Sequence, residues 1–149
     1  MRYRFVFDET RCSACSACVV ACMDQKDLYP LKGDLSFRRC ETREELKGGR
    51  IHMRYLSIGC MHCESAKCIE VCPSGCFFRD EETGFVLYDN TDCISCRKCL
   101  EECPFEAPVF SEDSGKMEKC DGCAERVKHG LSPACVQVCP FDALQLIEN

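Results

Sequence analysis

Cysteine spacing constrains this chain more than any other feature, because 16 of its 18 cysteines fall into four groups of four. Every group begins with C-x2-C and ends with C-x3-C, and a proline directly follows the last three groups. The groups are Cys12, Cys15, Cys18 and Cys22; Cys60, Cys63, Cys68 and Cys72; Cys93, Cys96, Cys99 and Cys103; and Cys120, Cys123, Cys135 and Cys139. Only Cys40 and Cys76 stand outside the groups. The repeated pattern predicts four bound metal clusters.

The spacing within each group favours [4Fe–4S] clusters over other uses of cysteine. A C-x2-C-x2-C run wraps three sulfurs around one cluster, and the fourth cysteine, about one helical turn further on, serves a neighbouring cluster. Zinc sites normally draw two cysteine pairs from separated loops, so four cysteines within eleven residues have little zinc rationale. A disulfide scaffold would require an oxidising compartment. Zinc and disulfides remain the alternatives to clusters.

Short strand patterns indicate how the four groups combine. Phe77-Phe78 and the segment 85–88 flank a polar connector that ends in Gly84, which predicts a β-hairpin between the second and third groups. Residues 143–147 are expected to pair with residues 3–7, which brings the first and fourth groups together. The predicted fold class is α+β, with two nested bacterial-ferredoxin-like dicluster units built from short antiparallel hairpins and short helices.

The nested pairing divides the chain into two units and fixes the cluster ligands. Residues 1–22 with 111–149 form the outer unit, and residues 23–110, including an insert at 23–59, form the inner unit. The expected ligands are Cys12, Cys15, Cys18 and Cys139 for cluster 1; Cys120, Cys123, Cys135 and Cys22 for cluster 2; Cys60, Cys63, Cys68 and Cys103 for cluster 3; and Cys93, Cys96, Cys99 and Cys72 for cluster 4. A sequential pairing of group one with two and three with four is the alternative.

Residues outside this pattern receive simpler interpretations. Cys40 and Cys76 are expected to be unligated thiols. His62, within the Cys60-Met-His-Cys63 loop, is expected either to donate a hydrogen bond near a cluster or to be exposed. The charged run 41–50 is interpreted as a solvated turn between strands near 35–40 and 51–58, with a partner-binding surface as the alternative. Residues 111–119 are expected to form another turn.

Composition excludes several functional classes. Without its cysteines the chain is only about 34% apolar, which is thin for an ordinary core and suggests that bound metal supplies part of the interior. No apolar run is long enough for a direct membrane span, and residues 1–5 lack the apolar stretch of a secretory signal. We therefore expect a reducing, cytoplasmic location. A net charge of −6 without a basic stripe argues against nucleic acid. The chain shows no catalytic constellation or nucleotide-binding loop, so no catalytic residues are expected.

Three segments resemble one family closely: the Cys60-Met-His-Cys63 loop, Cys103-Pro-Phe-Glu-Ala-Pro108, and the stretch from Lys119-Cys-Asp-Gly-Cys123 to Cys139-Pro140. Together with the order of the four groups, they resemble the iron-sulfur subunits of the dimethyl sulfoxide reductase family across nearly the whole chain. In that family the first and fourth motifs pair, as do the second and third. Some members replace a cysteine of the third motif and carry a [3Fe–4S] cluster. Cys99 is present here, so the resemblance implies four [4Fe–4S] clusters.

The resemblance also implies a function and its partners. Such subunits relay electrons for molybdenum or tungsten pterin enzymes, so we expect a non-catalytic electron-transfer component in a hetero-oligomer. The expected partners are a catalytic molybdenum or tungsten pterin subunit and, as a further candidate, another redox subunit. A free-standing soluble polyferredoxin shuttle is the alternative.

Overall fold

Short antiparallel hairpins and short helices make up the computed structural model of the protein, which describes residues 2–149. Over those residues the strands are β1 (Tyr3–Phe7), β2 (Arg38–Lys47), β3 (Arg50–Gly59), β4 (Phe77–Arg79), β5 (Val86–Tyr88), β6 (Val109–Phe110), β7 (Met117–Glu118) and β8 (Leu144–Glu148). The α-helices there are α1 (Ala17–Gln25), α2 (Lys67–Val71), α3 (Lys98–Glu101), α4 (Ala124–Lys128) and α5 (Ala134–Gln137), with 3₁₀ turns at Glu9–Arg11 and Pro30–Lys32. The α+β class is confirmed.

The two ends of the described chain pair with each other, as predicted. Strands β1 and β8 are antiparallel, with Phe5 opposite Leu146 and Phe7 opposite Leu144. Phe5 and Leu144 are buried, because alternate residues of each strand face the core. The backbone N–H of Asp8 donates to the carbonyl of Ala143 at 2.8 Å and continues the pairing by one step.

The predicted hairpin between the second and third cysteine groups is also confirmed. Strands β4 and β5 pair with Phe77 opposite Tyr88. The Asp80 carboxylate closes the turn, because it accepts hydrogen bonds from the backbone N–H (3.1 Å) and the hydroxyl (2.6 Å) of Thr83. Such bonds from an aspartate to the backbone ahead of it are typical of tight turns. Further along, β6 and β7 form the turn that was expected around residues 111–119.

The insert differs from its prediction. The charged run 41–50 is mostly strand rather than turn, because β2 and β3 each extend over ten residues and only Gly48 and Gly49 form the connection. Both glycines have positive φ, which suits a two-residue hairpin turn. Arg54 on β3 holds the charged strands together, since its guanidinium contacts Glu45 of β2 at 2.8 Å and Glu9 at 2.6 Å. Arg54 and Glu45 therefore pair across the hairpin, whereas the ion pairs of Arg43 with Glu41 and of Lys47 with Glu45 lie within β2.

Two apolar clusters form the interior, and cysteines belong to both. The first contains Phe5, Phe85, Ala124, Val127 and Leu144 with Cys18 and Cys135. The second contains Ala66, Phe77, Val86, Phe110 and Met117 with Cys76 and Cys99. Cysteine side chains thus occupy core positions that aliphatic residues fill in ordinary domains of this size. No helix within residues 2–149 is both long enough and apolar enough to cross a bilayer.

Candidate metal-cluster sites

Paired short helices bring the cysteine groups together. Helix α1 carries Cys18 and Cys22 and packs against α5, which carries Cys135 and is followed by Cys139. Helices α2 and α3 pack in the same way and present Cys68, Cys72, Cys99 and Cys103 within or directly after them. Residues four apart on a helix share one face, with their Cα atoms about 6 Å apart along the axis. Each helix pair therefore presents sulfurs at two positions that lie about one helical turn apart along the axis.

Three cavities are each lined by one predicted set of four cysteines. The cavity for cluster 1 is lined by Cys12, Cys15, Cys18 and Cys139. The cavity for cluster 4 is lined by Cys72, Cys93, Cys96 and Cys99. The cavity for cluster 3 is lined by Cys60, Cys63, Cys68 and Cys103. In each case three cysteines come from one group and the fourth from its nested partner.

The fourth set, which was predicted for cluster 2, lies deepest in the molecule. Burial raises the pKa of Cys22 to about 12, and the neighbouring thiols of Cys120, Cys135 and Cys123 add to the rise. Burial likewise raises the pKa of Cys120 and of Cys135 to about 11. Helix α1, which carries Cys22, packs against α5, which carries Cys135, so Cys22 lies near the last group. The structure thus gathers three predicted sets around cavities and places the fourth at the contact between α1 and α5.

Backbone amides point at the sulfurs of these sets. Such N–H groups stabilise thiolates and help to set the electronic properties of a bound cluster. Although burial opposes it, hydrogen bonds from the backbone of Leu144, Phe141 and Ala143 lower the pKa of Cys139. Five more sulfurs accept a hydrogen bond from a backbone N–H. The donor and acceptor residues are Ala14 to Cys12 (3.4 Å), Cys76 to Cys72 (3.3 Å), Met117 to Cys93 (3.4 Å), Ala107 to Cys103 (3.4 Å) and Gly122 to Cys120 (3.2 Å).

A single metal ion is the alternative occupant of such sets of thiols. Four thiolates around a single zinc ion would lie about 3.8 Å apart, because each Zn–S bond is about 2.3 Å long. Within residues 2–149, no three His, Cys, Asp or Glu side chains come close enough together to hold one metal ion. Sets of four thiols that surround a cavity and receive amide hydrogen bonds fit an iron-sulfur cluster.

Comparison with known proteins identifies the family. A model described as the 4Fe-4S dicluster domain matches residues 51–149. The chain is 44% identical to a subunit of the anaerobic dimethyl sulfoxide reductase of Escherichia coli (strain K12), over 96% of this chain and 72% of that protein. The chain belongs to the iron-sulfur subunits of the dimethyl sulfoxide reductase family.

Other relatives agree with this membership. The chain is 40% identical to the corresponding anaerobic dimethyl sulfoxide reductase subunit of Haemophilus influenzae, over 96% of this chain and 72% of that protein. It is 38% identical to thiosulfate reductase electron transfer subunit PhsB of Salmonella typhi, over 97% of this chain and 74% of that one. As the dicluster match indicates, [4Fe–4S] clusters are the cofactors of this family member.

The two remaining cysteines of this family member lie beside the end cavities. Cys40 Sγ is 3.8 Å from Cys18 Sγ and lines the cavity predicted for cluster 1. Cys76 lines the cavity predicted for cluster 4, and its backbone N–H donates to Cys72. Burial, followed by the neighbouring Cys72, raises the pKa of Cys76 to about 12, so its side chain is a neutral thiol at physiological pH.

His62 is buried, so the interpretation as an exposed loop residue is wrong. Its side chain is 0% exposed, and its ring lies against those of Phe5 and Phe85. The backbone N–H of Val86 donates to Nδ1 at 3.0 Å, which places the proton of the neutral ring on Nε2. Burial, followed by the nearby charge of Lys119, lowers the pKa of His62. The expected hydrogen bond to a cluster stays a prediction.

Sequence reasoning missed two buried cations of this subunit. Lys119 and Arg38 are 1% and 3% exposed, although lysine and arginine are rarely buried. Arg38 follows the apolar Phe37, but no local pattern marks Lys119, which directly precedes a cysteine in a polar stretch. Their burial depends on cysteines that are distant in sequence.

Proposed function

We propose that this chain holds four [4Fe–4S] clusters and relays electrons between a molybdenum or tungsten pterin catalytic subunit and a further redox partner. The observation that carries the proposal is that cysteines from two nested groups line each of three separate cavities, while helices α1 and α5 bring Cys22 near the last group. Each bound cluster would supply one-electron exchange with little change in geometry. The relatives, one a dimethyl sulfoxide reductase subunit and another named as an electron transfer subunit, support the same role.

The proposed ligands follow the crossed pattern. They are Cys12, Cys15, Cys18 and Cys139 for cluster 1; Cys120, Cys123, Cys135 and Cys22 for cluster 2; Cys60, Cys63, Cys68 and Cys103 for cluster 3; and Cys93, Cys96, Cys99 and Cys72 for cluster 4. The helix pairs α1 with α5 and α2 with α3 support this assignment, since each presents sulfurs for two clusters. The same pairs support an outer unit of residues 1–22 with 111–149 and an inner unit of residues 23–110.

The contacts between sets favour a linear order from cluster 1 to cluster 4. The thiol of Cys18 raises the pKa of Cys135, so the first set adjoins the second. The thiol of Cys60 raises the pKa of Cys120, so the second set adjoins the third. Helices α2 and α3 connect the third set to the fourth. Cys15 and Cys96, in the two end sets, are exposed, which suits electron entry and exit there.

Copurification tests the proposed role. Anaerobic isolation under native expression should yield this chain together with a pterin-containing catalytic chain that remains bound through gel filtration at high salt. The complex should contain about sixteen iron and sixteen sulfide ions per copy of this chain. A chain that elutes alone with the same iron content would favour the free-standing shuttle, and a colourless zinc protein would reject both functions. The thiol-rich composition of this chain favours a cytoplasmic location as part of the same proposal.

Replacing the two remaining cysteines should preserve every cluster. Because Cys40 and Cys76 lie outside the four proposed ligand sets, the variants Cys40→Ala and Cys76→Ala are expected to keep about sixteen iron per chain. The matched change Cys18→Ala, adjacent to Cys40, should remove one cluster. Iron and sulfide analysis of anaerobically purified protein checks this result. Loss of about four iron from either of the first two variants would make that cysteine a ligand.

A further inference from the structure

A buried lysine lies between two of the proposed cluster sites. The Lys119 ammonium donates hydrogen bonds to the carbonyl of Val86 and, at 2.6 Å, to that of Cys120. It also lies 3.8 Å from Cys60 Sγ. Its charge lowers the pKa of Cys60 and Cys68 in the third set and of Cys120 in the second, against the larger effect of burial. Lys119 therefore occupies the junction between clusters 2 and 3.

A buried arginine occupies the preceding junction. Nη1 of Arg38 donates to Ser57 Oγ at 3.0 Å, and Ser57 Oγ lies 3.2 Å from Cys18 Sγ of the first set. Burial alone would lower the pKa of Arg38, but the nearby cysteine side chains of residues 135, 120, 18 and 22 raise it overall. Three of those four cysteines belong to the second set. Arg38 thus faces clusters 1 and 2.

Among residues 2–149, neither buried cation has a carboxylate partner. No Asp or Glu oxygen of that range lies within ion-pair distance of Lys119 or Arg38, whereas the exposed cations Arg43 and Lys67 do have such partners. A charge removed from water without a counter-charge is costly, so buried cations are normally paired. An oxidised [4Fe–4S] cluster with four thiolates carries a charge of about −2. The clusters are the available counter-charges.

In the part of the chain that the structure describes, the fourth set has no equivalent buried cation. Arg97 lines its cavity, but this side chain is exposed and stacks on the Phe110 ring at 4.5 Å. Water screens the charge of an exposed side chain much more than that of a buried one. The buried positive charge is therefore distributed unevenly among the four cysteine sets. It is greatest at the second set, which both buried cations face.

We propose that Lys119 and Arg38 are fixed counter-charges within the electron path, such that Lys119 raises the reduction potentials of clusters 2 and 3 and Arg38 those of clusters 1 and 2. This inference rests on the proposed function. An added electron makes a cluster more negative, so a buried cation beside it stabilises the reduced form. Lys119 also offsets repulsion between an electron on cluster 2 and one on cluster 3, where the two dicluster units meet. Both side chains are positioning residues and bind no substrate.

Replacement of each cation by methionine tests the inference in the intact complex. Lys119→Met should lower two of the four midpoint potentials, each by at least a tenfold change in the reduction equilibrium, which is about 59 mV for one electron. Arg38→Met should lower the midpoint potentials of clusters 1 and 2, so that cluster 2 is affected by both substitutions. Potentials are read by anaerobic redox titration with electron paramagnetic resonance. Cys15→Ser and Cys96→Ser, which perturb the end clusters, identify the signals of clusters 1 and 4.

Charge-retaining and surface variants provide the controls. Lys119→Arg should keep the potentials near those of the unmodified protein, and Lys47→Met, at an exposed lysine of the β2–β3 hairpin, should change none. Iron content and circular dichroism establish that each variant is loaded and folded. If Lys119→Met loses clusters that Lys119→Arg retains, a positive charge at this position is required for cluster binding, which supports the proposal. The effect on reduction potentials is then measured in Arg38→Met.

Failure of the proposed function and failure of the role of the two cations give different results. Unmodified protein with far fewer than about sixteen iron ions would reject the proposed function itself. Unmodified protein with four titrating clusters, whose potentials are unchanged in Lys119→Met or shift equally at all four, would overturn the role of the cations alone. Loss of clusters in both Lys119→Met and Lys119→Arg would show that packing, and not charge, requires the lysine.

Discussion

Removal of iron from the purified protein is expected to unfold most of the chain. Both apolar clusters include cysteine side chains, so loss of the metal opens the interior at Cys18, Cys135, Cys76 and Cys99 or beside them. Helices α2 to α5 contain only four or five residues each, and helices this short are unstable without tertiary contacts. Free energy of metal binding is folding free energy in sites of this kind. The far-ultraviolet circular dichroism signal should fall to that of a largely unfolded chain.

Anaerobic chelation followed by circular dichroism and limited proteolysis measures this effect. The β2–β3 hairpin carries its own cross-strand pairing, with Arg54 bound to Glu45, and some strand signal from it should persist. Reconstitution with iron and sulfide should restore both the spectrum and the protease resistance. Native spectra and slow proteolysis in the iron-free protein would show that the polypeptide folds without its clusters.

Substitution of Gly122 by alanine is expected to destabilise the folded protein by about 2–5 kcal/mol. Gly122 has φ of +72°, and a Cβ atom there would lie 2.5 Å from Cδ2 of Phe85, which is 0% exposed. The left-handed backbone costs an alanine about 1–2 kcal/mol, and overpacking a rigid core costs about 1–3 kcal/mol more. The backbone N–H of Gly122 also donates to Cys120 Sγ at 3.2 Å, so the shift would disturb a proposed ligand of cluster 2.

Gly130 provides a matched control for this substitution. Its φ of +75° is nearly the same, but a Cβ atom would meet nothing within 4 Å. Gly130→Ala should therefore cost only the backbone strain of about 1–2 kcal/mol and leave the iron content unchanged. Denaturation temperatures of the two iron-loaded variants, taken at one heating rate, separate strain from collision. If Gly122→Ala and Gly130→Ala lowered the denaturation temperature equally, Phe85 would be able to move aside without a cost in stability.

Much of the fold followed from short-range patterns. The pairing of β1 with β8 and the β4–β5 hairpin were predictable, because hydrophobic alternation and turn residues lie next to the cysteine groups that they connect. The convergence of Cys22 with Cys120, Cys123 and Cys135 was predictable because C-x3-C spacing places two sulfurs at successive levels of one short helix. Both features depend on residues that are near one another in sequence or pair in a simple nested order.

The features that escaped prediction depend on contacts between distant segments. The charged run in β2 is a strand because its residues pair in register with β3 and Arg54 contacts Glu45 across the hairpin, so only Gly48 and Gly49 are needed for the turn. His62 is buried because a left-handed backbone conformation turns its ring toward Phe5 and Phe85. Lys119 is buried because the carbonyl of Val86, which is distant in sequence, accepts a hydrogen bond from its ammonium, and Cys60 Sγ of the second group lies 3.8 Å away. Local polarity alone predicts the opposite for each.

Phe85 belongs to the hairpin between the second and third cysteine groups, yet its ring packs with Phe5, Ala124 and Leu144 from the two ends of the chain. A fragment that contained only residues 60–103 would leave this aromatic ring in water, and the complementary fragment would have a hole at its centre. The smallest stable piece is consequently the interleaved whole. One aromatic side chain thus links the segment between the second and third cysteine groups to both ends of the chain, so neither part is expected to fold alone.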